Sequence, residues 1–404
     1  MCRRPTGGSG LPLALSLAAL LLQACVVIEP FFPDDTSAPD ADAVALDAAA
    51  DAVEDATPDV AMDGVADATA DALADGDALA DGDVPVEGDA LGDSDGVLED
   101  IDVGPQPLAA PMAVGSFSHS GESMTVSDLP FAPEVVLAQC DGGGLWLRTA
   151  AMPDGQSYLL SSSQPLIANG IQGFTPAGFS LGTHFELGGP SQTPCRYVAF
   201  RRDEAGQALQ FGVYVGNAQS GRAIEVGLAP AAVIVASDVN SRRAGLRLAT
   251  MPAGTGVNLG QAGSVTNGIL DFAPGQFTVG SGQAVNKSGN DYYWVAWSDS
   301  GGVDVGSYVG NGCDDRTIGD GLGFDPLWLL VRSVDHLGRH KSTAMEGAAS
   351  SFITGDAPTT TGIEALSEEE DHFVVGTDPE VNACDGCECQ PNGATYHWAA
   401  FVGP

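Results

Sequence analysis

The sequence predicts an all-β protein, with three tandem small antiparallel β-sandwich repeats after a disordered acidic tether. Three observations carry that prediction. A unit of about 95 residues recurs three times after residue 110. Its apolar runs are short, rich in Val, Ile and aromatic residues, and divided by Gly, Pro, Asn and Ser. No segment of that region keeps an i, i+3, i+4 apolar stripe long enough for a packed helix. The expected divisions are a signal peptide at 1–24, a lipidated cysteine and tether at 25–109, and repeats at 110–205, 206–301 and 302–404.

The chain opens with Arg3 and Arg4, followed by an apolar stretch from Leu11 to Leu22. A basic start, a short apolar run and a small residue before a cleavage point make a secretory signal peptide. The run is too short, and the chain beyond it too acidic, for a spanning helix. It ends Leu22-Gln23-Ala24-Cys25, and a cysteine directly after Leu-x-Ala resembles the lipobox of bacterial lipoproteins. The resemblance implies cleavage before Cys25, a diacylglyceryl thioether on its sulfur, and acylation of the new amine by a chain such as palmitate. Two or three acyl chains, at about 0.8 kcal/mol per buried methylene, anchor a protein firmly. Gln23 is an unusual residue inside that motif. Val26 stands where an aspartate signals inner-membrane retention in some enteric bacteria, which favours the outer membrane.

Between Glu29 and Asp102 lie 24 acids, and no Lys or Arg occurs from Pro5 to Trp146. Aspartates repel one another and are poor helix formers, and aromatic residues are absent from the segment after Phe32. Little apolar surface offsets the chain entropy, so a solvated stalk is expected, spanning on the order of 50 Å for about 80 residues. Asp93-Ser94-Asp95-Gly96 echoes a calcium loop, but it lacks the distal glutamate that a tight loop needs. After Gly104, 30 acids stand against 13 bases, a net charge of −17 within the −39 of the whole. A surface of that sign repels phosphate backbones, so nucleic acid is excluded as a partner.

The repeats share four landmarks in one order. They open at Gly115-Ser116-Phe117, at Gly212 to Asn217 and at Gly306 to Asn311. A proline and a buried-strand run follow, at Pro133 to Leu137, Pro230 to Val235 and Pro326 to Val331. Then come Phe179 to Gly182, Phe277 to Gly280 and Phe373 to Gly376, with Val285-Asn286 and Val381-Asn382 after the second and third. All three close on one strand: Tyr197 to Phe200, Trp294 to Trp297 and Trp398 to Phe401. By alternation, Val198, Val295 and Ala399 share a face with Phe200, Trp297 and Phe401, and both faces of this strand are apolar. The strand is therefore central in its sheet, or its second face meets a neighbouring repeat.

The pattern G-x-Y-x-G-N-G, G-L-G-F-x-P, F-x-V-G, V-N, Y-x-W-x-A-F resembles a repeat of phage and bacterial tail-fibre-type proteins, with a looser likeness to H-type lectin sandwiches. The third copy matches best, through Gly306–Gly312, Gly321–Pro326, Phe373–Gly376, Val381-Asn382 and Tyr396–Phe401, whereas the first lacks Gly-Asn and Val-Asn. The resemblance implies a β-sandwich recognition module. H-type lectins assemble in threes, which three tandem units would imitate within one chain.

Few residues suggest chemistry. Gly178-Phe179-Ser180-Leu181-Gly182 fits a nucleophile elbow, but the equivalent stretches around Phe277 and Phe373 place Ser180 at an ordinary strand position. His336 and His340 have zinc-ligand spacing, yet Gly338 between them and the β context make them solvated loop residues. Cys140 ends one strand and Cys195 begins the closing strand, a plausible pair across the sheet. Cys384, Cys387 and Cys389 lie in an insertion, and Cys313 is the fourth member, giving two disulfides or, as the alternative, a zinc site. Trp294, Trp398 and Tyr197 read as core residues rather than sugar platforms. Contacts are expected instead from the loops Asp141–Gly144, Asn240–Arg243, Asp335–Lys341 and Ser367–His372, because loops on a rigid sandwich carry recognition. The acidic run Glu368–Asp371 in the last of these reads as a solvated turn.

The function expected from sequence is non-enzymatic. It is binding at the cell envelope by a lipoprotein held to the bilayer through Cys25, with a glycan or protein ligand and with no cofactor or metal. A purely structural spacer is the alternative, and a hydrolase or metal-dependent enzyme the least favoured reading.

Overall fold

The computed structural model describes residues 111–187, 192–299, 302–319, 322–366, 371–384 and 389–402. Cys25, the signal peptide, the tether, Cys387 and the run Glu368–Glu370 lie outside the described residues.

The described chain is all-β and antiparallel, and its topology repeats. In the first repeat the opening strand Met112–His119 pairs with the closing strand Thr193–Phe200. The closing strand pairs in turn with the proline-led strand Val135–Cys140, and Trp146–Thr149, Gln156–Leu159 and Ile167–Ala168 complete a six-stranded sheet. A second sheet of three strands, Met124–Val126, Gly178–Leu181 and Ile171–Thr175, lies over it. The second repeat has the same order, with Leu209–Val215, Asp291–Ser298 and Pro230–Ser237 at the heart of its large sheet. The third does so with five strands, around Val303–Val309, Thr395–Val402 and Pro326–Ser333.

Each pair of sheets encloses its own core. Phe179, Trp146 and Ala199 meet in the first, Phe277, Trp294 and Ala296 in the second, and Phe373, Trp398 and Ala400 in the third. The other face of every large sheet is equally apolar, and all three of these faces join one shared core. Phe200, Trp297 and Phe401 mark its centre. They occupy the same register position in their repeats, are 1–2% exposed, and form a near-equilateral triangle with ring centroids 5.6, 5.8 and 5.5 Å apart. Three sheets thus pack face to face around a pseudo-threefold axis, which is why the closing strand is apolar on both sides.

The ring is closed. The second repeat meets the first where Tyr158 Oη donates to Arg242 O (2.9 Å) and Leu166 N to Asp238 Oδ1 (3.2 Å). The third meets the second where Gly263 N donates to Val334 O (2.7 Å) and Arg332 Nη2 to Gln261 O (2.6 Å). The first meets the third where Leu145 N donates to Ile353 O (3.0 Å) and Gln139 Nε2 to Phe352 O (2.6 Å). Head-to-tail contacts of this kind end only when the rotation closes, and three repeats close it.

The sequence landmarks are fastenings of this scaffold. A Cβ on Gly115, Gly212 or Gly306 would collide with the ring of Tyr197, Trp294 or Trp398 on the paired strand, so only glycine fits. Tyr214 Oη donates to Val285 O (2.5 Å) and Tyr308 Oη to Val381 O (2.6 Å), fixing the one-turn helices Gln283–Asn286 and Pro379–Asn382. The asparagines of Val-Asn are fully buried clamps. Asn286 accepts from Asn217 N (2.8 Å) and donates to Gln219 O (2.7 Å) and Gly280 O (3.0 Å). Asn382 accepts from Asn311 N (2.9 Å) and donates to Cys313 O (2.8 Å) and Gly376 O (2.9 Å).

The first repeat lacks this asparagine and uses buried His119 from its opening strand. Its Nε2 lies 3.1 Å from Gly182 O, the carbonyl equivalent to Gly280 O and Gly376 O, and its Nδ1 accepts from Gly121 N (3.0 Å).

Candidate functional site

Cys140 and Cys195 face each other in register and form a disulfide inside the first repeat. The same register position holds Ser237 opposite Tyr292 and Ser333 opposite Tyr396 in the other two. The bond therefore replaces a tyrosine-centred contact with a covalent one. Cys313 is bonded to Cys389, and Cys384 has no disulfide partner among the described residues. Ser180 lies on the strand Gly178–Leu181, opposite Thr125 and Gly173, followed only by the single 3-10 turn Phe185–Leu187 rather than by an α-helix. Trp294 and Trp398 are core residues, edge-on to Phe277 and Phe373 at 5.9 and 5.5 Å.

His340 corrects the reading of Asp335–Lys341 as a wholly solvated loop. It sits on the strand Arg339–Ser342, buried between repeats, with Nε2 2.6 Å from Gln139 Oε1 and Nδ1 accepting from Trp328 Nε1 (3.4 Å). Burial, with Arg196 and Arg339 nearby, pushes it down to about 3, so it is the neutral imidazole. Helical ligand spacing does not apply to it, because the chain turns at Gly338 and enters a strand. His336 stays in the turn, stacked on Tyr396.

The three inter-repeat seams differ in chemistry although they share geometry. At the second and third, the turn bearing Met251 or Met345 faces the opening and closing strands of the next repeat. In the second repeat the opening-strand positions that correspond to Ser116 and Ser118 are Val213 and Val215, which are 50% and 53% exposed. At the second seam, Thr250 Oγ1 donates to Gly306 O (3.2 Å) and lies 3.0 Å from His397 Nδ1, closing the gap. The third seam joins the last repeat to the first and opens into a cleft of about 310 Å³, lined by Ser116, Ser118, Pro194, Arg196, Ala344 and Glu346. Arg196 is held from behind by Asp141, a residue of the Asp141–Gly144 loop. A guanidinium, a carboxylate and two hydroxyls supply donors and acceptors to one concavity. Sequence reasoning missed this site because its two walls are about 150 residues or more apart along the chain.

Among the described residues no group of three or more His, Cys, Asp or Glu side chains is placed to hold a metal ion. No helix among them is long and apolar enough to cross a membrane. No protein-family model, curated protein or solved structure matches this chain.

Proposed function

We propose that the protein is a lipid-anchored, non-enzymatic binding protein of the cell envelope. On this reading Cys25 is acylated, the acidic segment is a stalk, and the closed ring presents a recognition surface for a glycan. The observation that carries the reading is the polar cleft at the seam of the first and third repeats, where Ser116, Ser118, Arg196 and Glu346 converge. It is supported by the way the repeat motifs are used. Their glycines, tyrosines and asparagines are spent on packing and clamping, which leaves a rigid scaffold whose seams and loops are free to vary. The same chemistry fits the tail-fibre-type and H-type lectin resemblance of the sequence.

The test is a glycan array probed with the full-length protein in detergent, alongside Arg196→Gln and Glu346→Gln. Binding that falls at least tenfold in either variant is expected. A folded protein that binds no glycan would instead indicate a structural spacer. Fractionation of cells carrying Cys25→Ser tests the anchor, with release into the soluble fraction as the expected outcome.

A further inference from the structure

One register position in the fourth strand of the large sheet holds a buried cation in all three repeats. Arg148, Arg247 and Lys341 stand opposite Val136, Val233 and Leu329. All three cations fasten the loop that follows. Arg148 Nη1 donates to Pro153 O (2.9 Å) and to Gln156 O, and Arg247 Nη1 donates to Pro252 O (2.8 Å) and to Thr255 O. Lys341 Nζ donates to Gly347 O and Ala349 O, both at 2.7 Å.

The difference lies above them. The guanidiniums of Arg148 and Arg247 are covered by Phe174 and Phe272, each 5.5 Å from the ring centre. Those phenylalanines pair with Phe179 and Phe277, and the residue that pairs with the equivalent Phe373 is Leu366. The third repeat has thus exchanged Arg for Lys and Phe for Leu at facing positions. At these positions the third repeat has a cleft of about 340 Å³ lined by Lys341, Thr343, Met345, Glu364 and Leu366.

What lines this cleft is a matched set. An ammonium has three protons and Lys341 gives two to loop carbonyls, leaving one. Burial and then Arg196 push this amine down to about 8, so it gains from an added acceptor. Glu364, whose pKa is raised by burial and by Asp314 and Asp315 beside it, brings a carboxyl group to the same cleft. Leu366 and Met345 supply apolar surface, and Thr343 a hydroxyl.

We infer that this cleft of the third repeat is a binding site for one neutral pyranose ring, with Lys341 and Glu364 bonding its hydroxyls and Leu366 beneath its C–H face. The inference rests on the glycan reading above and adds a second site, within one repeat rather than between two. Neutral rather than acidic sugars fit, because Glu364, Asp314 and Asp315 repel carboxylates.

The experiment is saturation-transfer NMR on the full-length protein in detergent, with the methyl glycosides of galactose, glucose and mannose as probes. Its key variant is the double substitution Lys341→Arg with Leu366→Phe, which refills the cleft with the pair that the other repeats already accommodate. A parent that binds one of these sugars, and a refilled variant that binds it at least tenfold more weakly, is the expected result. Sugar binding unchanged in the refilled variant but lost in Arg196→Gln overturns this site and leaves the glycan reading standing. Binding unchanged in both variants also overturns it, and no binding by the parent overturns both ideas. Should the refilled variant fail to fold, Glu364→Gln decides, with a loss of at least fivefold expected and unchanged binding counting against the site. Lys287 and Lys341 are the only lysines of the chain, so the bound sugar should also slow acylation of Lys341 and not of Lys287.

Discussion

Asn382 shows how much one side chain carries in this scaffold. It is fully buried and joins the loop after the opening strand to the turn that precedes its own helix. Asn382→Ala removes the side-chain partner of the buried Gly376 carbonyl and of the part-buried Asn311 N–H and Cys313 carbonyl. The expected cost is about 2–4 kcal/mol, measured by denaturant unfolding, and Asn286→Ala should behave alike. At the equivalent point of the first repeat the same carbonyl is served by His119, whose pKa burial lowers. The Val-Asn motif was legible in sequence as a recurring landmark. Its replacement by a histidine some 65 residues earlier was not, because only the folded sheet brings His119 to Gly182.

At the scale of the element, the closing strand is the most informative. Its alternation was readable from residues alone, and the faces of Val198 and Phe200, and of Tyr197 and Ala199, fall as alternation requires. Its disulfide is a local reinforcement of one copy. Cys140 and Cys195 are separated by 55 positions, and closing such a loop stabilises by about 4 kcal/mol in the chain-entropy view. Cys140→Ser with Cys195→Ser should therefore lower the unfolding free energy by roughly that amount, while a glycan bound in the third repeat is still bound. Loss of the whole fold's cooperativity with unchanged stability would contradict it.

For the whole molecule, the decisive feature is the ring, and a buried imidazole sits at its closing seam. His340 belongs to the third repeat and its partner Gln139 to the first. Its folded pKa, about 3, lies below that of the unfolded chain, near 6.5. Between those values the unfolded state holds more protons, so stability rises with pH across that window and is lost as pH falls through it. His184 and His397 are shifted downward as well, by burial first, and act in the same direction. The unfolding midpoint is expected to drop on acidification from pH 7 to 4, and the drop to be smaller in His340→Gln. An equal drop in both would mean that carboxylates alone govern acid sensitivity.

By itself the sequence determined the all-β class, the threefold repetition and the two-faced closing strand. Each of these follows from local chemistry: short apolar runs, turn residues and a period of two. Only the tertiary structure decided that the repeats share one core at Phe200, Trp297 and Phe401, that His340 is buried, and that Lys341 lies beside a cleft. The physical reason is that these depend on which residues meet in space: His340 meets Gln139 201 positions away, and Lys341 shares its cleft with Leu366 from another strand of its own repeat. An exchange of Arg and Phe for Lys and Leu reads as conservative along the chain and becomes a cavity only where the two positions face each other.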